Sequence, residues 1–534
     1  MSTDSSPATS YDELPYDSHP YDRTHPDHLA TMARLFGIPS PAPDKSRVLE
    51  LGCAAGGNLI PMAASMPEAS FVGIDLSQRQ IDEGRTLIDR IALPNIELQH
   101  RSIADLTADD GRFDYIICHG VYSWVPPEVQ DAILRVCSQN LSENGVAYVS
   151  YNTFPGWFMR GMVRQMMCFH ARQFDDPTTQ VEQARALLDF LIEAGPGHDP
   201  TYHQLLTREL EIVRNRADSY LFHEHLEDNN EPLFFHQFAE RAASHDLRYL
   251  CETQLSEMIA SNYSPKVEET LQQLGSSLIH VEQYLDFLRN RTFRRTLLCH
   301  SRQEPKRELG EAQLQGMYVA SLLQPISPEP NLVLHSEEVF RAASGMTATV
   351  SHPVLKAALV ALHQASPGAL AFDSLPSVAN KVLGDSSGLG EFSVRDADKL
   401  LIDREKLGQL ILELYTKDLV QLRAVPPRFT LNVSERPFVN DLIRFQAEDD
   451  AWATSLQHEV VSLNDLDRHL LRCLDGHSGM PELVARFAEL VRSEKLVIEH
   501  HGQDAGDIAE NETLLQTLVS HGLNRLARHA LLSS

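Results

Sequence analysis

From Arg47 onward, short apolar runs alternate with amphipathic stretches. "RVLELG" (47–52), "SFVGIDLS" (70–77), "IELQHRS" (96–102), "FDYIICHG" (113–120) and "GVAYVSYN" (145–152) read as five strands. "NLIPMAASM" (58–66), "QRQIDEGRTLIDRI" (78–91) and "VQDAILRVCSQNL" (129–141) read as helices between them. Apolar strands separated by such helices predict a parallel sheet covered on both faces. From 157 to 245 the pattern turns helical: Val181, Ala184, Leu187, Leu188 and Leu191 form one face, ahead of a Gly195-Pro196-Gly197 stop. Strand-like "LRYLCETQL" (247–255) and "TFRRTLLCHS" (292–301) then return. They read as the last two strands of the same sheet, which makes 157–245 an insertion.

The expected organisation is an N-terminal arm (1–45), a core (46–156), the helical insertion (157–245), the last strands (246–305) and a C-terminal domain (306–534). That last domain has helices, a strand-turn-strand candidate at "LVQLRAVPPRFTL" (419–431) and an amphipathic tail helix from Glu512. Helices plus a β-ribbon suggest a winged-helix-like α+β module. Its ribbon carries only Arg423 and Arg428, too little charge for a DNA clamp, so contact with protein is expected there.

Composition narrows the partners. A chain of 534 residues is too long for one core. A formal net charge of −28 repels phosphate backbones, argues against nucleic acid, and would attract a basic or lysine-bearing protein, although acidity also simply confers solubility. The seven cysteines form no CxxC pair, as expected in a reducing compartment. The first residues lack a basic and then apolar leader, and no apolar run approaches membrane-spanning length. A cytoplasmic protein without a membrane partner is expected.

The stretch "VLELGCAAGGNLIP" (48–61) is a strand broken by a glycine turn before a helix. A Walker loop needs Gly-Lys-Ser/Thr, but Gly57 is followed by Asn58. A dinucleotide loop wants G-x-G-x-x-G, but the glycines are Gly52, Gly56 and Gly57, with Ala54 where the middle one belongs. S-adenosylmethionine carries no phosphate, and its loop needs a tight turn near a carboxylate, which Glu50 supplies. Asp75, with Leu76 beside it, ends the second strand, where a carboxylate can bind two ribose hydroxyls. Ser102 and Ile103 in "HRSIADL" fall where adenine is held, and His119 and Gly120 in "CHGVYSWVP" where the methyl emerges. A plain strand-helix turn and a nicotinamide fold remain the alternatives.

In this order, the motifs resemble class I S-adenosylmethionine-dependent methyltransferases over roughly residues 25–305. "YDELPYDSHPYDRTHPDHLATMARLFGI" (11–38), "YNTFPGW" (151–157), "YLFHEHLEDNNEPLFFHQFAERAASHDLRYL" (220–250) and "HPVLKAALVAL" resemble a narrower group. Its members are bacterial enzymes with a methyltransferase regulatory domain, rickettsial protein-lysine methyltransferases among them. The resemblance implies a Rossmann-like, mostly parallel seven-stranded α/β sheet with S-adenosyl-L-methionine as cofactor. It also implies a protein acceptor, with lysine as the leading side chain, and is compatible with a homodimer. Ala54 departs from the commonest loop pattern, but a small residue suffices there.

In-line methyl transfer needs alignment, water exclusion and a neutral nucleophile. Candidates lie at the C-terminal strand ends. Tyr122, Trp124 and Asn152 are catalytic candidates, and Phe154, Trp157, Tyr11 and His223 are candidates for binding the acceptor. Tyr16 would fold over the cofactor with Glu50, Gly52, Ala54, Gly56 and Asn58. Ordinary packing competes for each aromatic. His223, His225 and His236 are expected to pack, hydrogen-bond or line the acceptor pocket, because a His-x-His pair on a helix diverges; no metal is expected. His500 and His501 read as a solvated loop. A small-molecule N- or O-methyltransferase, or a non-catalytic interaction protein retaining the fold, are the competing functions.

Overall fold

The computed structural model describes residues 18–533, apart from 196–198, 215, 261–262, 334–335, 386–403, 494 and 497–508. Tyr11 and Tyr16, and His500 and His501, lie outside the described residues. At the centre is a seven-stranded sheet: β1 (Arg47–Leu51), β2 (Ser70–Asp75), β3 (Ile96–His100), β4 (Phe113–Cys118), β5 (Leu141–Asn152), β6 (Leu247–Glu252) and β7 (Phe293–His300). Their order is β3-β2-β1-β4-β5-β7-β6. The first five are parallel, while β7 runs antiparallel to both β5 and β6. The order reverses between β1 and β4, which opens the ligand crevice of a doubly wound sheet at their carboxyl ends.

Both faces are covered. Ile133, Val136, Phe238 and Ala242 pack on one, from the helices Pro127–Gln139 and Phe235–Ser244. Leu29, Leu59, Met62 and Ile81 pack on the other. The same apolar cluster continues into Leu314, Val319, Phe340, Leu359 and Ile411, so residues beyond 306 share the core of the sheet. Val439, Leu470, Phe487, Leu515 and Leu526 form another core near the C-terminus. The helices Gly156–Ala171, Pro177–Ala194 and Pro200–Arg214 bury Val163, Leu188 and Leu210 in a separate layer.

The strand-turn-strand expected at 419–431 does not form. Val420–Arg423 instead pairs antiparallel with Tyr318–Ser321. Pro426 and Pro427 then remove two amide donors, and Phe429 makes only an isolated bridge to Ser533. The two-stranded ribbon lies later, Trp452–Thr454 against Val460–Ser462. Among the described residues, no helix is long and apolar enough to cross a membrane.

Candidate active site

β1 ends in a turn that only small residues can make. Gly52 has φ +74°, and a Cβ there would lie 2.5 Å from Val121 Cγ2. Ala54 also sits in the left-handed region, at φ 50°, where an alanine costs about 1–2 kcal/mol. Gly57 is bare for another reason: a Cβ would lie 2.2 Å from the Ser18 carbonyl oxygen, so the missing side chain admits the N-terminal arm. The Gly57 amide donates to Ser18 Oγ at 2.9 Å.

Glu50 is buried at the end of β1. Its Oε1 accepts from Asn58 Nδ2 at 2.7 Å, while Oε2 has no hydrogen-bond partner among the described residues. Burial, assisted by the Asp75 charge and opposed by the Asn58 bond, raises Glu50 to about 8. Asp75 ends β2 and accepts from the amides of Ala54 and Ser77, both at 2.9 Å. Two amides fix this carboxylate over the turn, and carboxylate oxygens retain further acceptor capacity. An orphaned buried oxygen at Glu50 and a held carboxylate at Asp75 suit a ligand with a cationic amino-acid end and a ribose diol.

Around them, Ile103 is buried and Ser102 Oγ accepts from the Ala104 amide at 3.2 Å, capping a short helical turn. Leu76 is 47% exposed beside Asp75. His119 shares a 2.7 Å hydrogen bond with the Tyr148 hydroxyl and faces the Tyr21 ring at 4.0 Å. Burial, and then the Arg295 charge, lowers His119 to about 4, so the imidazole is uncharged at neutral pH. The Gly120 amide donates to Ser150 Oγ at 2.8 Å, and a Cβ at Gly120 would meet nothing within 4 Å among the described residues.

Beyond β4 the candidates separate. Tyr122 is fully buried, 5.3 Å from the Phe238 ring and 6.1 Å from Tyr151, in the apolar layer under the helices. It packs the core and is not brought to the crevice. Residues two apart in the one-turn helix Tyr122–Trp124 point different ways, so Trp124 turns toward Trp157, ring centres 6.1 Å apart. Asn152 donates from Nδ2 to Asn230 Oδ1 at 3.1 Å, and its amide donates to Ser123 Oγ at 2.8 Å. Phe154 stacks on Phe158 at 4.1 Å and approaches Phe234 at 5.2 Å.

His223 is buried in the helical layer, in the i→i+5 turn Phe222–Leu226, with Nδ1 3.5 Å from Glu227. His225 is buried in the same turn, and burial followed by the charges of Arg160 and Arg164 lowers it to about 3. His236 meets Gln283 Oε1 at 3.0 Å. Among the described residues no three His, Cys, Asp or Glu side chains are placed to hold a metal.

Several contributors escape sequence reasoning. Asn58 Oδ1 also accepts from the Tyr21 amide at 2.9 Å and meets His458 Nε2 at 2.9 Å. His458 belongs to the turn of the C-terminal ribbon, 400 positions away. Ser18, Tyr21 and Asn230 lie in stretches that carry the resemblance but give these residues no role, and His458 lies outside them. Their roles arise only when distant segments meet.

Known proteins place this geometry. A methyltransferase-domain model matches residues 48–145, and the model of a predicted methyltransferase regulatory domain matches 217–300. The latter covers part of the helical stretch and also β6 and β7. The C-terminal winged helix domain of PKMT matches 435–531, a span containing the ribbon that bears His458. An uncharacterized protein of Rickettsia prowazekii is 36% identical over 529 residues, covering 98% of this chain and 93% of its own. A second from that organism is 40% identical over 241 residues, 45% of this chain and 96% of its own. The structure of PKMT2 from Rickettsia typhi in complex with AdoHcy superposes with TM-score 0.85 at 30% identity, covering 97% of this chain and 100% of that one. AdoHcy is what S-adenosylmethionine becomes on losing its methyl group, and S-adenosylmethionine is the cofactor of this protein. The chain therefore belongs to the class I S-adenosylmethionine-dependent methyltransferases, within the group that joins this domain to a methyltransferase regulatory domain and a winged helix of the PKMT kind.

Proposed function

We propose that the methyl acceptor is a lysine side chain of a protein. The observation that carries this reading is an aromatic patch beyond the end of β5 that opens to the surface. Phe154 and Phe234 pack together and meet Phe158 and Phe287, which are 58% and 47% exposed, while the buried Trp124 and Trp157 pair with each other. A surface of this kind suits a polypeptide more than a small molecule enclosed on all sides. Likeness along nearly the whole chain to PKMT2 supports the same acceptor.

S-adenosylmethionine supplies an electrophilic methyl group, already on a good leaving group. The chain must then hold, orient and dry. In this reading Glu50 and the Gly52–Gly57 turn hold the amino-acid end, and Asp75 the ribose, with Gly56, Asn58, Leu76, Ser102, Ile103 and Gly120 lining the cofactor. Trp124, Phe154 and Trp157 exclude water from the acceptor. Asn152, fixed by Asn230 and Ser123, presents an amide that orients the amine. An ammonium group must shed its proton before attack, and desolvation between rings favours the neutral amine. Incubating the enzyme with tritiated donor and a bacterial lysate, then hydrolysing the protein, should yield labelled methyl-lysine. Label confined to small molecules would overturn the reading.

A further inference from the structure

Against a chain of net charge −28, one groove is rich in arginine. It has a cavity volume of about 530 Å³ and lies between the helices Gly156–Ala171 and Pro200–Arg214 and the start of β7. Arg160, Arg208, Arg289, Arg291 and Arg295 line it together with Glu209 and Glu257, and Asp286 and Glu252 stand behind Arg291. The glutamates do not saturate these cations. Arg295 takes Glu257 Oε1 at 2.9 Å, while Arg160 reaches Glu209 only at 3.6 Å. Arg291 has a side chain 6% exposed; its Nε pairs with Asp286 at 3.1 Å and its Nη2 donates to the Glu257 carbonyl at 2.9 Å, while Nη1 has no hydrogen-bond partner among the described residues and stands 3.8 and 3.9 Å from Glu257 and Glu252. Arg208 is exposed and makes no ion pair among the described residues.

The groove adjoins the acceptor site. Gly156 lines it, and its amide donates to the Arg291 carbonyl at 3.0 Å, while Thr153 donates to Thr292 at 2.9 Å. Arg160 covers the Trp157 ring at 5.6 Å. Phe293, also in the lining, stands edge-on to His119, ring centres 6.4 Å apart. A polypeptide with one residue against the half-buried Phe154 would lay its neighbours along these arginines.

We propose that the groove binds carboxylate side chains flanking the methylated lysine, so the acceptor is an acidic segment of protein. This rests on the protein-lysine reading above. Whole-molecule charge favours a basic partner, but the charge beside the reacting atom is of the opposite sign, and short-range pairs select among sequences. Guanidinium groups suit carboxylates because both are planar and pair in a bidentate manner. The same cations disfavour a protonated lysine nearby and so help keep it nucleophilic.

The test uses the full-length enzyme and short peptides with one central lysine flanked by Asp, by Asn or by Arg. The Asp series should show KM at least about tenfold below the Asn series, as expected when one or two charged pairs form. The Arg series should be poorest. Arg208→Glu, remote from the cofactor turn, should erase or invert that order while AdoHcy affinity stays at the wild-type value, which also reports a folded cofactor site. Inorganic phosphate should inhibit the Asp series competitively and the Asn series little. Equal KM values across the three series, or an unchanged order in Arg208→Glu, would overturn the proposal while leaving lysine methylation standing. Failure to label lysine in any peptide or lysate protein would instead overturn the reading beneath it.

Discussion

Replacing Glu50 by Gln separates what this carboxylate costs the fold from what it gives the cofactor. The free carboxyl ionises near 4.5 and the buried one near 8, raised by burial and then by Asp75 against the Asn58 bond. Between those values the folded chain keeps a proton that the unfolded chain has lost. Stability contributed by this site is therefore complete below about pH 4.5 and falls as pH rises toward 8. Each pH unit is worth about 1.4 kcal/mol, so the span approaches about 5 kcal/mol at pH 8. Gln keeps the shape, can accept from Asn58 Nδ2, and never ionises. Wild type and variant should melt nearly together at pH 5, whereas at pH 8 the variant should melt about 5 °C higher, at about 1 °C per kcal/mol for a chain of this length. In the same variant AdoHcy affinity should fall, because the ligand's ammonium group loses its counter-charge. Titration calorimetry of the wild type at pH 7 in buffers of different ionisation enthalpy should register proton release on binding. A melting difference independent of pH, together with binding that moves no protons, would refute the reasoning.

Other perturbations test the remaining parts. Asp75→Ala should weaken AdoHcy binding by about 1–3 kcal/mol in calorimetry, by removing an acceptor from buried partners; unchanged affinity would mean the ribose lies elsewhere. Gly52→Ala should abolish binding and lower the melting temperature, since φ +74° and Val121 both oppose a Cβ. His458→Ala should raise the AdoHcy dissociation constant about threefold to tenfold, the worth of one hydrogen bond to Asn58. Burial lowers His458 to about 3, so its contribution to stability is present above about pH 6.5 and drains away as pH falls. Melting of His458→Gln should accordingly fall less than wild type between pH 6.5 and pH 5.

The sheet is legible in the sequence because its strands are near-continuous apolar runs and its turn is written in glycines. Glu50 and Asp75 are legible for the same reason: both are fixed by their distance from a strand end. Legibility stops where orientation depends on a single turn, as at Tyr122, whose position in sequence suited the crevice while its ring went into the core. It stops also where strand partners are distant. Val420–Arg423 has strand character, but only the fold reveals that its partner is Tyr318–Ser321 and that two prolines close off a hairpin. The arginine groove is invisible to net charge because its members come from three segments of an acidic chain.

The hydrogen bond between His458 and Asn58 spans 400 positions of chain. During synthesis the glycine turn leaves the ribosome early, yet its final neighbour emerges only after most of the protein has been translated. In the reading proposed above, a nascent or prematurely terminated chain would hold its methyl donor with one neighbour of the turn still missing.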